Sequence, residues 1–332
     1  MMNDRNILEV NNILRNFNIQ AQCVSHRVVG NYFYYDLRLG SQTKVKDIVK
    51  YGDELSLMLK TPCKPNVKVM HKEGLVRLEF VNPRIDRLRL FDYFTNTDIP
   101  KGDLMCLLGQ AVDGERVWMD LSQNPHMIVS GTTGSGKSTL LHNIIANLYN
   151  YNCVNLFLID PKNIEFTEYD KHMSGLTIGY SYYDTIFILD TLLDLMDARY
   201  MDMQLGISKE KFPYVVLIID EFADLIMQDG NKEFYNKLCR LSQKCRAAKM
   251  HIVLSTQRPS VNIINGTIKA NFPARISCRV ASHIDSKVVL DSTGAENLMG
   301  NGDALVKDNY RNSERFQVAW TDAAEVCYYF GA

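Results

Sequence analysis

Residues 131 to 138 read Gly131-Thr132-Thr133-Gly134-Ser135-Gly136-Lys137-Ser138, which fits the pattern G-x-x-x-x-G-K-S. The chemistry such a run can do is the capture of polyphosphate. Three glycines let the backbone curl until its amides face an anion, and a helix starting at that point adds its positive end. Lys137 reaches the β and γ phosphates of a bound ATP, and the Ser138 hydroxyl is a ligand for Mg2+. The whole loop, from Gly131 through Thr139, is the expected nucleotide contact. Asp220 and Glu221, which end the apolar run "YVVLIID" at 214 to 220 and follow it, are a second constellation. Paired carboxylates at such a position suit two tasks: Asp220 to hold the water shell of Mg2+, and Glu221 to polarise an attacking water. Thr256 and Gln257 emerge at the end of another apolar run, "HIVLST". A glutamine there senses the γ phosphate or orients water; the bland alternative is a cap in an ordinary loop.

These groups are useful only if strands and helices hold them together. The loop follows "HMIVS" (126 to 130) and precedes "TLLHNIIANLY", and further apolar runs follow at 154 to 160, 214 to 220, 251 to 256 and 275 to 280. Strands this continuously apolar are buried on both faces, which predicts a mostly parallel sheet covered by helices. The stretches 137 to 149, 182 to 204 and 232 to 250 are long enough for the crossover helices that parallel strands require. In such sheets ligands bind beyond the carboxyl ends of the strands, where Lys137, Asp220 and Gln257 would all lie.

The first hundred residues read differently. Short alternating runs, "NYFYYDL" at 31 to 37 and "LVRLEF" at 75 to 80, flank one helix-like stretch at 45 to 60, with breaks at 61 to 65 and at Asn82-Pro83. The expected division is an N-terminal helix or arm (1–20), a small α+β domain (21–100) and an α/β domain built around the P-loop (101–332). The 332-residue chain is 46% hydrophobic, enough for one large core and a smaller one. Its 37 basic and 38 acidic side chains leave a net charge of -1, so any nucleic-acid contact must be local. Eight cysteines without a CxxC pair or zinc spacing read as reduced, buried thiols, and no apolar run approaches the length of a membrane span. Together these favour a cytoplasmic protein.

Between the second and third constellations lies "NKLCRLSQKCRAAK", carrying Lys237, Arg240, Lys244, Arg246 and Lys249 and no acid. Lys237, Arg240 and Lys244 share one helical face. Such a stripe is either a solvated face or a surface offered to a neighbouring subunit, with an arginine completing that subunit's site.

The blocks "PHMIVSGTTGSGKST", "IDPK" (159 to 162), "LIIDEFADL" (217 to 225), "STQRPSVNIINGTIKANFPARIS" (255 to 277) and "SHIDSKVVLDSTGAENLMGNGDAL" (282 to 305) resemble, in order, the motor of the FtsK/SpoIIIE family of double-stranded DNA translocases. More faintly, 24 to 82 resembles the small domain that precedes that motor, and the resemblance implies a RecA-like P-loop core for 101–332. The resemblance implies a DNA-stimulated ATP hydrolase that threads duplex DNA through a hexameric ring without reading its sequence. It implies catalytic roles for Lys137 and Glu221, an arginine finger at Arg246 and a sensor at Gln257. It also implies channel loops that meet DNA, one with Arg258 and Ser260 and another with His283 and Lys287. The membrane anchor and winged-helix module of chromosomal members have no counterpart among these residues, so tethering or orientation would come from a membrane, replication or transfer partner. Two other readings keep parts of this: an ATPase of the same kind driving DNA transfer, DNA packaging or protein secretion through a partner complex, and a nucleotide-gated DNA tether with little turnover.

Overall fold

The computed structural model describes residues 2–29, 32–81, 88–94, 99–151 and 153–331; the break expected at Asn82-Pro83 lies outside these. The chain divides into two compact units, one of 1–87 with 110–116 and 297–299, the other holding the remainder.

The small unit contains α1 (Met2–Asn16), β1 (Ala21–Val29), β2 (Tyr32–Leu39), α2 (Val45–Lys50), α3 (Gly52–Met58), β3 (Asn66–Met70) and β4 (Leu75–Val81). Its sheet is antiparallel with strand order β1-β2-β4-β3. The first residues are helix: Val10, Ile13 and Leu14, at helical spacing, bury into one cluster with Tyr35, Leu37, Leu78 and Phe80 of the sheet. The stretch at 45 to 60 is two helices, because the chain leaves helical geometry at Tyr51 (φ -95°, ψ 22°).

The large unit contains α4 (Phe91–Phe94), β5 (Met105–Ala111), β6 (Arg116–Asp120), β7 (His126–Ser130), α5 (Lys137–Tyr149), β8 (Val154–Ile159), α6 (Thr167–His172), β9 (Leu176–Gly179), α7 (Tyr182–Gln204), β10 (Tyr214–Ile219), α8 (Phe222–Gln228), α9 (Glu233–Lys244), β11 (Met250–Thr256), α10 (Gly266–Asn271), β12 (Ala274–Cys278), α11 (His283–Leu290), β13 (Asp303–Lys307), β14 (Glu314–Val318) and α12 (Ala323–Phe330). The strands form one sheet of ten in the order β6-β5-β14-β13-β12-β7-β11-β10-β8-β9. From β12 to β9 every neighbouring pair is parallel, while β12-β13 and β13-β14 are antiparallel. Every residue of β7, β10, β11 and β12 is buried, as their apolar runs require. The sheet order carries the functional consequence: β11 is inserted between β7 and β10, so Gln257, just past β11, falls between the loop after β7 and the acids after β10.

Among the described residues no helix is long and apolar enough to cross a membrane. All eight cysteines are free thiols, five of them buried.

Candidate active site

The loop from Gly131 to Gly136 joins β7 to α5 and is shaped by left-handed backbone at Gly134 (φ +74°) and Gly136 (φ +99°). A side chain at Gly136 would collide with the backbone of Gly302, so this glycine is required by both conformation and space. Residues 300 to 302 brace the loop from outside: Asn301 N donates to Gly134 O (3.2 Å) and Gly302 N to Ser135 O (2.8 Å). Two of its carbonyls are engaged there, while most of its amides make no such bond. Those of Thr133, Gly134, Gly136, Lys137 and Ser138 have no acceptor among the described residues. Such a cradle of amides at a 13-residue helix start fits a polyphosphate. Thr139 follows on the first turn of α5, partly buried, with no polar contact that bears on the loop.

Lys137 is buried, and its ammonium meets Asp220 Oδ1 and Ser255 Oγ (2.9 Å). Burial pushes the Asp220 carboxyl above the usual carboxylate range, against the pull of Lys137. Glu221 takes a left-handed backbone (φ 53°, ψ 58°) at the entrance to α8, which costs an L residue about 1–3 kcal/mol and is held by its surroundings. Its buried carboxylate accepts from Thr256 Oγ1 (2.8 Å) and Gln257 N (3.0 Å), with Lys162 Nζ at 3.5 Å. Gln257 Oε1 accepts in turn from Thr133 Oγ1 (3.1 Å). One glutamine thus ties the phosphate loop to Glu221.

Sequence reasoning missed several members. Ser138 Oγ donates to Glu165 Oε1 (2.7 Å), and Glu165 Oε2 lies 3.5 Å from His142 Nε2. The hydrogen bond with His142 and that from Ser138 hold the Glu165 carboxyl down, to about 2. Asp160 organises the turn that carries Glu165 by accepting from the amides of Ile164, Glu165 and Phe166. "IDPK" was the available signal for this turn; Glu165, three residues on, had none. The donors near the loop are hydroxyls and carboxylates, hard oxygens that suit Mg2+. Among the described residues no group of three or more His, Cys, Asp or Glu side chains could hold a metal ion.

Arg246 is not brought to this site. It lies exposed in a short 3-10 turn (Cys245–Ala248) before β11, at the opposite end of that strand from Thr256. The cationic stripe is partly neutralised within the chain: Lys237 meets Asp190 and Glu233, and Arg240 lies 2.7 Å from Asp197. Arg258 and Ser260 are exposed just past β11. His283 and Lys287 are exposed too, but on helix rather than loop. Ser282 caps α11 by accepting from Asp285 N (3.2 Å), and positions 283 and 287 share a face.

A sequence profile of the FtsK/SpoIIIE family matches residues 95–208 and 204–261, across the phosphate loop and both flanking acidic and polar strand ends. The chain belongs to the FtsK/SpoIIIE family. Among curated relatives, DNA translocase FtsK of Leptospira interrogans serogroup Icterohaemorrhagiae serovar copenhageni (strain Fiocruz L1-130) is 34% identical over 329 residues, 92% of this chain and 34% of that protein. DNA translocase FtsK of Campylobacter jejuni subsp. jejuni serotype O:2 is 34% identical over 326 residues, 91% of this chain and 34% of that protein. The chain therefore spans about a third of the length of the FtsK proteins it matches. Its fold is similar to that of the pCW3 conjugation coupling protein TcpA, solved as a monomer with ATPγS, at 20% identity and a TM-score of 0.67, covering 98% of this chain and 99% of that one. It is also similar to the cytoplasmic domain of the type VII secretion ATPase EccC of Thermomonospora curvata, at 18% identity and a TM-score of 0.60, over 74% of this chain and 35% of that one. FtsK/SpoIIIE proteins are P-loop ATPases, and residues 131 to 138 carry the P-loop pattern.

Proposed function

We propose that this chain is an ATP-driven motor that moves double-stranded DNA without reading its sequence, and that it works as a ring of copies, six by analogy with the family. ATP hydrolysis is the part supported by residue chemistry. Lys137 neutralises the β and γ phosphates, Ser138 and Asp220 would hold Mg2+, and Glu221 takes a proton from the attacking water while Gln257 orients it. Mg2+, when bound, spreads the charge that develops on the transferred phosphoryl group. The observation that carries the ring is the separation of Arg246 from its own P-loop. An arginine exposed at the far edge of the sheet has no use in its own site and is free to complete a neighbour's.

The DNA half rests on the family and on its named relatives. Arg258, Ser260, His283 and Lys287 are the proposed backbone contacts. Phosphate contacts set position and salt-dependent affinity without sequence preference, which suits a motor that must pass over any sequence. In functional terms residues 101–332 are the motor, and 21–100, preceded by the helix within 1–20, act as its smaller partner domain. The proposed location is the cytoplasm, with any membrane or transfer partner recruited through other surfaces. The test is steady-state hydrolysis of ATP by the purified chain with and without long duplex DNA. Stimulation that falls as salt rises is expected; hydrolysis indifferent to duplex DNA would overturn the motor reading.

A further inference from the structure

Glu165 is a third carboxylate at the P-loop. It sits between β8 and α6, with its side chain 26% exposed. Its backbone is pinned from below, since Asp160 Oδ2 accepts from Ile164 N (2.7 Å), Glu165 N (2.8 Å) and Phe166 N (3.1 Å). The fully buried rings of Phe166 and Tyr169 anchor the segment that follows. From the side, His142 Nε2 lies 3.5 Å from Oε2, and the other ring nitrogen of His142 is 2.7 Å from the Tyr169 hydroxyl. The carboxylate therefore has one place to be, and its remaining oxygen accepts the Ser138 hydroxyl at 2.7 Å.

A serine hydroxyl has one proton and two lone pairs. Once the proton is committed to Glu165, the lone pairs of Ser138 Oγ point elsewhere and are available to a cation. Asp220, the other proposed cation holder, is in contact with Lys137 and Ser255. We propose that Glu165 is a positioning residue for the cation of the nucleotide complex: it fixes the Ser138 hydroxyl as a metal ligand and adds negative charge beside it, with His142 and Tyr169 holding it in register. This rests on the ATPase reading above. A merely structural Glu165, holding the His142 ring or steadying the turn, would affect nucleotide binding with and without metal alike.

The experiment measures the affinity of the full chain for a fluorescent ATP analogue as Mg2+ is titrated, and again in excess chelator. Glu165→Gln keeps the shape and removes the charge; Glu165→Ala removes the acceptor; Glu165→Asp is the conservative control. The expected result is a Mg2+ midpoint raised about tenfold in the Gln variant and about a hundredfold in the Ala variant, as for outer partners of metal ligands. Affinity in chelator should be unchanged, and Glu165→Asp should recover part of the shift. Variants that bind at the wild-type Mg2+ midpoint overturn the inference, and so does an equal loss with and without Mg2+. A wild-type chain that binds no nucleotide overturns the ATPase reading and this inference with it. Wild-type binding beside an unshifted Glu165→Gln overturns this inference alone.

Discussion

Lys137 and Asp220 are nearly dry, with side chains 3% and 2% exposed, and a buried charge is tolerable only when paired. Asp220 and Ser255 together fix where the Lys137 side chain ends. Glu221 is prepared differently, by a left-handed backbone and by donors from Thr256 and Gln257. Those donors leave Lys162 as its nearest cation, too distant for a tight bond. In the proposed mechanism this placement holds Glu221 ready as the base. Glu221→Gln is accordingly expected to bind the ATP analogue as wild type does while turnover falls about a hundredfold or more. Equal turnover in the two proteins would remove Glu221 from the chemistry.

At the scale of elements, the P-loop is braced by a second loop far along the chain, through Asn301 N to Gly134 O and Gly302 N to Ser135 O. Gly136 and Gly134 both have positive φ, yet only Gly136 abuts other backbone; a side chain at Gly134 would meet open space. Gly134→Ala should cost about 1–2 kcal/mol in urea denaturation, the conformational term alone. Gly136→Ala must also displace Gly302 and should cost clearly more, and equal costs would mean that 300–302 does not brace the loop. The central strands make a separate prediction. His126 on β7 and His251 on β11 are buried as neutral rings, with pKa values lowered by desolvation to about 3 and about 4. His126 Nδ1 accepts from Ile252 N, a bond its protonated form could not keep. Below the ordinary histidine pKa of about 6.5 the unfolded chain binds protons that the folded chain refuses, so stability must fall as pH drops from 6.5 toward 4. The slope is about 1.4 kcal/mol per pH unit for each ring. Urea midpoints at pH 7.5 and 5.5 test it; coincident midpoints would exclude both rings as the cause of acid sensitivity.

At the scale of the whole molecule, the nucleotide residues gather at one edge of the sheet and Arg246 at the other. The proposed completion of each hydrolytic site by a second copy would account for that separation. Arg246→Ala should bind nucleotide normally and lose about a thousandfold in turnover. Lys137→Ala should lose binding. Mixed together, the two inactive variants should regain activity, because an intact P-loop from one copy can meet an intact Arg246 from the other. A mixture as inactive as its parts would place Arg246 outside the site.

The local features were readable because each is contiguous. β7, α5 and α7 stand at the residues their apolar periods and loop signals predict, and Lys137, Ser138, Asp220, Glu221 and Gln257 sit beside strand ends that the sequence marks. The rest depended on neighbours distant in the chain. The antiparallel β13 and β14 are short, and periodicity does not say which sheet or partner a short strand joins. The helix at 283 to 290 was hidden by a polar first turn that Ser282 caps. The pairing of Lys237 and Arg240 with acids of α7, the brace at 300 to 302 and the reach of Glu165 to Ser138 are all long-range contacts. Sequence by itself determined the chemistry on offer, since residue type and local spacing decide what a side chain can donate, accept or bind. Tertiary structure decided which of those groups meet, because strand order and close packing, not chain proximity, set the distances between them.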